Sequence, residues 1–179
     1  STHEQDLGLA LPDRVSARLS ELVAGWQSDT DPRQPLQLVR KALSYFRQQP
    51  FVYTLSPGRL PGEDPIDQFL FETRRGFCEH YAGSFALMMR VAGIPSRVVV
   101  GYLGGERNPR ADHWVIRQSD AHAWAEVWIP SLGWWRVDRT AAVAPERVEQ
   151  PINPALSLDA DGVIFRVDRD GLFADAWAN

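Results

Sequence analysis

The chain has 179 residues, 44% hydrophobic and 23% charged, which fits one globular domain and excludes wholesale disorder, collagen-like repeats or two large domains. Its 23 acidic and 19 basic side chains leave a formal charge of −4, so no broad basic surface is expected and nucleic acid is not an expected partner. No run of about 18 apolar residues is present to cross a membrane. The single cysteine, Cys78, excludes an internal disulfide and any metal site needing two thiolates. Ser1–Asp6 is polar and shows no secretory leader, and the sequence reads as a soluble segment of a longer protein.

Helical spacing of Val15, Leu19, Leu22 and Trp26 predicts a helix opening at Pro12-Asp13 and closing near Ser28. A second is expected from Pro35 to Gln48, with Leu36, Val39, Leu43 and Phe46 on one face. Phe51–Leu55 reads as a short strand, Ser56–Pro65 as a loop, and Ile66–Thr73 as a short helical or irregular piece. From Cys78 to Ala92 the residues Tyr81, Phe85, Met88, Met89 and Ala92 make the stripe of a buried helix. Gly93 is placed to end that helix in a left-handed conformation, and Pro95 prevents its continuation. Ser96–Leu103, β-branched and apolar, reads as a central strand, and His113–Arg117, Ala121–Ile129 and Trp134–Asp138 read as three more. Helices followed by antiparallel-type strands give an α+β class. Residues 143–179 read as an arm wrapping the surface of this one domain (1–179), with a small strand at Val163–Val167.

Cys78 opens the strongest helix. A first-turn thiol feels the positive end of the helix dipole and unpaired backbone N–H groups, both of which favour thiolate. A cysteine needing only burial would sit further along the apolar stripe. Nucleophilic work also needs a base and a group that orients it. His3 lies in the polar leader, and His80 projects about 200° around the helix from Cys78 and faces away from it. In Ala121–Ile129, alternation sets His122, Trp124, Glu126 and Trp128 on one face and Ala121, Ala123, Ala125, Val127 and Ile129 on the other. The small-residue face suits close packing on a helix. The aromatic face holds two ionisable groups that are costly to bury unless they serve something; a histidine satisfied by a carbonyl and ordinary tryptophan packing are the competing readings. Asp138 ends the following strand. A three-residue loop at Ile129–Ser131 pairs it directly with His122, and a four-residue loop at Pro130–Gly133 shifts the pairing by three; spacing does not choose between them.

Gly76-Phe77-Cys78-Glu79-His80-Tyr81-Ala82, followed by Gly93-Ile94-Pro95-Ser96-Arg97-Val98-Val99-Val100-Gly101-Tyr102, resembles the cysteine helix and first strand of the transglutaminase-like superfamily. Asp120-Ala121-His122-Ala123-Trp124-Ala125-Glu126-Val127-Trp128 resembles its histidine strand, and Gly133-Trp134-Trp135-Arg136-Val137-Asp138-Arg139-Thr140 its aspartate strand. The blocks keep the family's order over about residues 66–142. The resemblance implies a papain-like arrangement in which a cysteine-bearing helix packs on an antiparallel sheet. It implies Cys78 as nucleophile, His122 as base and acid, and Asp138 as orienter of the imidazole. The implied reaction is acyl transfer from a glutamine carboxamide to an amine through a thioester, without a cofactor. The implied partners are a protein or peptide glutamine donor and an amine acceptor, with cell-wall peptides as candidates. The implied setting is the periplasmic part of an inner-membrane protein. Arg139 departs from the proline the family often has there. Trp26 is the sole tryptophan upstream of Cys78 and matches no oxyanion motif, so only the Cys78 backbone N–H is assigned to an oxyanion hole.

The same three residues would equally serve a cysteine peptidase, amidase or deamidase, and a non-catalytic peptide- or wall-binding module is the remaining alternative. A zinc site from Cys78, His80, His113 and His122 lacks a standard ligand spacing, and no EF-hand-like acidic loop is present. Trp124 and Trp128 are expected to exclude water from the site and so favour transfer over hydrolysis.

Overall fold

The computed structural model of the protein describes residues 2–60, 62–130, 132–138, 156–158, 163–167 and 174–178. Helices come first: α1 (Thr2–Gly8), α2 (Ala17–Gln27) and α3 (Pro35–Gln48). α2 begins later than its apolar spacing suggests because Ser16 caps it, its Oγ accepting the Leu19 N–H at 3.1 Å. α3 fills its expected span, with Pro35 in the first turn where no N–H is needed. The polar leader is in fact α1. It ends on buried Gly8, where a Cβ would sit 3.1 Å from Pro95 Cβ, Ser96 N and Trp134 Cη2, so the missing side chain is what lets this short helix dock.

Two short strands, β1 (Val52–Tyr53) and β2 (Arg75–Gly76), pair in parallel. Between them α4 (Pro65–Gln68), capped by Asp64, runs into a π-helical turn at Phe69–Thr73 that buries Phe69 and Leu70. The turn stops at Arg74 in the left-handed region (φ 49°), whose N–H returns to the Phe69 carbonyl at 3.0 Å. The chain is thereby aimed into α5 (Cys78–Val91). Ala82, Ser84, Ala86 and Leu87 are buried besides the expected stripe, because α5 lies between α2 and α3 on one side and the sheet on the other. Gly93 closes α5 at φ 79°, and the Ile94 N–H reaches back to the Met89 carbonyl at 2.8 Å, as its position in the sequence implies.

β3 (Ser96–Tyr102) follows, then a small separate hairpin of β4 (Glu106–Arg107) and β5 (Trp114–Val115). The strand expected at His113–Arg117 is thus only two residues long and lies outside the main sheet. A 3-10 turn at Gln118–Asp120 leads into β6 (Ala121–Ile129), which pairs antiparallel with β3 and with β7 (Gly133–Val137). With β8 (Leu156–Leu158), β9 (Val163–Val167) and β10 (Ala174–Ala178) the sheet order is β3-β6-β7-β10-β9-β8, β10 running parallel to β7. β9 occupies the small strand expected there, while residues 143–155, 159–162, 168–173 and 179 of the expected arm lie outside the described residues. β3 differs most from expectation. It is an edge strand, with β6 its one strand neighbour among the described residues. Its apolar run mimics a central strand because α5 covers part of one face, yet Val98, Val100 and Tyr102 remain exposed. No helix among the described residues is long and apolar enough to cross a membrane.

Candidate active site

Phe77 is extended and Cys78 is the first helical residue, so the thiol sits where the first-turn N–H groups have no intrahelical acceptor. His80 does not face the sulfur. Its Nδ1 accepts the Phe77 N–H at 3.4 Å, and its ring packs against Phe69 and Phe77. Burial there holds its pKa below the usual imidazole value, which suits a neutral acceptor. The close packing depends on Gly76, where a Cβ would come within 2.7 Å of both His80 Cβ and Phe69 Cε2. The Cys78 sulfur itself packs with Ala82 and Ala123 and is reached by the His122 imidazole and by the backbone N–H groups of Ala123 and Glu79.

The β6–β7 register puts Ile129 opposite Gly133 and Ala125 opposite Val137. The hairpin loop is therefore Pro130–Leu132, which matches neither register considered from sequence. Continued by one residue, this pairing sets Asp138 level with Trp124 and diagonal to His122. The parity is even, so His122 and Asp138 share a face, and diagonal neighbours are within reach of each other's side chains. His122 Nε2 lies 2.6 Å from Asp138 Oδ2, both residues buried. With Nε2 committed to the carboxylate, Nδ1 is the nitrogen left for the sulfur.

The electrostatics follow from this chain of contacts. Burial pushes the Cys78 thiol up, but His122 and the two backbone N–H groups outweigh it, and the thiol titrates below its ordinary value. Burial pushes the His122 pKa down, and Asp138 together with the Cys78 sulfur more than reverses this, holding it at about 9. Asp138 stays below the usual carboxylate range: its burial opposes ionisation, and His122 and Arg136 overcome that. The arrangement favours a thiolate–imidazolium pair backed by an ionised carboxylate.

A second ring of contacts holds the imidazole, and sequence reading missed it. Arg136 donates to the same Asp138 Oδ2 at 2.9 Å, and its guanidinium lies 4.1 Å from the Trp124 ring centre. Trp124 in turn stacks on His122, with centroids 6.2 Å apart and planes 23° from parallel. Gly101, paired with His122 across β3–β6, makes room: a Cβ there would lie 2.9 Å from Trp124 Cη2. A glycine inside an apolar strand was the available signal for that close approach. Arg97 repeats the motif further along, bonding Glu126 at 2.8 Å and lying 4.2 Å from the Trp134 ring centre.

Cys78 and His122 open onto a cleft of about 480 Å³ that Phe77, Leu55, Val100 and Tyr102 also line. Trp124 and Trp128 do not line it. Trp124 is occupied behind the imidazole, and Trp128 borders a separate hollow beside Gly93 and Pro95. Trp124 instead borders a small hollow on the other side of Cys78, shared with Ala82 and Asp138. Trp26 packs edge-on against Tyr45 among the N-terminal helices, and His113 bonds Asn108 in the β4–β5 loop. Among the described residues no group of three or more His, Cys, Asp and Glu side chains is placed to hold a metal ion.

Residues 23–139 match the Transglutaminase-like superfamily. The chain belongs to that family. It is 52% identical over 128 residues to the protein-glutamine gamma-glutamyltransferase of Pseudomonas aeruginosa, a match covering 72% of this chain and 19% of the relative. It is 33% identical over 135 residues to the uncharacterized protein YebA of Bacillus subtilis, covering 72% and 18%. The match thus covers about a fifth of the length of these curated relatives. Among solved structures it is similar to the periplasmic domain of TgpA from Pseudomonas aeruginosa bound to ethylmercury. That likeness has a TM-score of 0.74 and 44% identity, covering 84% of this chain and 53% of the other. A putative cysteine protease from Cytophaga hutchinsonii shares the fold at a TM-score of 0.51 and 19% identity, covering 81% and 45%. The α+β, papain-like class expected from sequence is the class of this transglutaminase-like domain.

Proposed function

We propose that the protein transfers the acyl group of glutamine side chains to amines, with Cys78 as nucleophile, His122 as acid and base, and Asp138 as the group that orients and charges the imidazole. The observation that carries this reading is the unbroken contact chain from the Cys78 sulfur through His122 to Asp138, at the first turn of a helix and at the floor of a cleft.

The Cys78 thiolate attacks the carboxamide carbon, and the His122 imidazolium gives its proton to the departing nitrogen, which leaves as ammonia. A thioester remains and His122 is neutral. An amine then attacks the thioester carbon, His122 takes the amine proton, and the thiolate leaves. The product is a secondary amide, and the thiolate–imidazolium pair is restored. The Cys78 backbone N–H, free of an intrahelical acceptor, is one donor to the oxyanion that forms in each step. Water in place of the amine converts the same sequence into deamidation.

Likeness to the Pseudomonas transferase and to the periplasmic domain of TgpA supports protein glutamines as donors and a periplasmic setting in an inner-membrane parent. Cell-wall peptides are the acceptor or donor class we infer for that compartment, and residues 1–179 the unit that acts. The test follows ammonia release and incorporation of a labelled primary amine into a glutamine-bearing protein, with unaltered protein beside Cys78→Ala. Incorporation lost in Cys78→Ala is the expected result. Ammonia without label makes the protein a deamidase, and peptide cleavage without either makes it a peptidase.

A further inference from the structure

We propose that the open edge of β3 is the docking strand for the acyl donor: an extended polypeptide segment that adds to the sheet antiparallel to β3 and carries its glutamine into the cleft beside Cys78. The proposal rests on the acyl-transfer reading of that cleft.

The backbone sets the geometry. β3 pairs with β6 from Ser96 opposite Val127 to Tyr102 opposite Ala121. Two flanking bonds continue that register: the Trp128 N–H donates to the Pro95 carbonyl at 2.8 Å, and the Leu103 N–H donates to the Asp120 carbonyl at 2.7 Å. Both involve odd-numbered positions on the β3 side, so the odd-numbered residues of β3 turn their polar groups toward β6. The period of two then turns the N–H and C=O groups of Val98, Val100 and Tyr102 outward, to the edge that no strand occupies among the described residues. α1 reaches only the start of the strand, through Gly8 against the Ser96 nitrogen and Glu4 at 3.7 Å from Arg97.

An open edge is normally blunted by a charge, a proline or a bulge. From Val98 to Tyr102 this edge has none, and Val98, Val100 and Tyr102 are 44%, 74% and 54% exposed. Their side chains lie on the α5 side of the sheet, the side on which Ser96 Oγ donates to the Ala86 carbonyl at 2.6 Å. Val100 and Tyr102 line the same cleft as Cys78 and His122. A residue directly opposite either of them in an added antiparallel strand shares their face, so a glutamine there projects its carboxamide on the side of the nucleophile. Main-chain bonds supply the hold. The exposed apolar side chains two residues apart favour β-branched or aromatic neighbours at matching positions of the donor.

The test alters the ligand, so no folding defect can imitate its result. A capped nine-residue peptide with one central glutamine, flanked by alternating threonine and valine and ended by serine, is titrated into the 179-residue chain carrying Cys78→Ala. It is then remade with one backbone amide N-methylated at a time. Saturable binding weakened about tenfold or more at alternate amides, and little changed at those between, is the expected result. Absent binding, or losses that do not alternate, overturns the docking strand. Label incorporation from the unmodified peptide by unaltered protein is read separately. Incorporation with a flat N-methyl pattern removes the docking mode alone. An alternating pattern without incorporation keeps the docking strand and removes the acyl-transfer reading.

Discussion

His122 and Asp138 are diagonal rather than opposite neighbours on adjacent strands, and still close to 2.6 Å between Nε2 and Oδ2. The contact survives because the Pro130–Leu132 loop keeps an even register; a slip of one residue would turn Asp138 to the other face of the sheet. Asp138→Asn keeps an oxygen near Nε2 but removes the anion that stabilises the imidazolium. The loss is one charge-assisted hydrogen bond, so kcat/KM for amine incorporation should fall by about 10- to 100-fold while the fold persists. Steady-state kinetics with circular dichroism as the folding control checks both halves.

The pH profile of kcat/KM should be bell-shaped. In the proposed mechanism activity requires the thiolate, so the acid limb follows the Cys78–His122 pair as the thiolate is protonated, below the ordinary thiol value. Activity also requires the imidazolium, so the alkaline limb falls as His122 loses its proton near pH 9. Removing the Asp138 anion lowers the His122 pKa, so in Asp138→Asn the alkaline limb moves to lower pH. A limb that stays in place would show that another group controls it.

How far this was legible beforehand depends on the range of the interaction. α5 and its end at Gly93 were readable because the apolar stripe and a positive-φ glycine are local signals. The two faces of β6 were readable because alternation is local too. The edge position of β3 was not, since an apolar run reads alike whether a neighbour lies on one side or both. Nor was the register: a change of two in the pairing keeps every side chain on its face and leaves no mark on the hydrophobic pattern. The convergence of Cys78, His122 and Asp138 came from family resemblance alone, because it joins three elements separated in the chain. Arg136 escaped notice because its partners, Asp138 and Trp124, are set by that unreadable register.

Gly101→Ala tests whether the support behind His122 matters. The new methyl would lie 2.9 Å from Trp124 Cη2 and 3.2 Å from Cζ3, so the indole must shift and its stacking on His122 loosens. Overpacking of this kind costs about 1–3 kcal/mol, visible as a lower denaturant midpoint at unchanged m-value. Turnover should fall with it, and a second change, Trp124→Phe, should recover part of the stability by returning space to the methyl.

Arg136 is a positioning residue whose charge and shape can be separated. Its Nη2 shares Asp138 Oδ2 with His122, and its guanidinium carbon lies over Trp124, 4.1 Å from the ring centre. Arg136→Met removes a cation from a carboxylate that already serves an imidazolium. Asp138 then becomes a stronger partner for His122, and the repulsion between the two cations is gone, so both effects raise the His122 pKa. The alkaline limb of kcat/KM should therefore move to higher pH, opposite in direction to Asp138→Asn. The rate at the optimum should also fall several-fold, about 1 kcal/mol, because the indole and carboxylate lose a common support. Arg136→Lys restores the charge without the planar fork, so it should return the limb toward its original position while recovering little of the rate. A purely structural Arg136 would lower the rate in both variants and move the limb in neither.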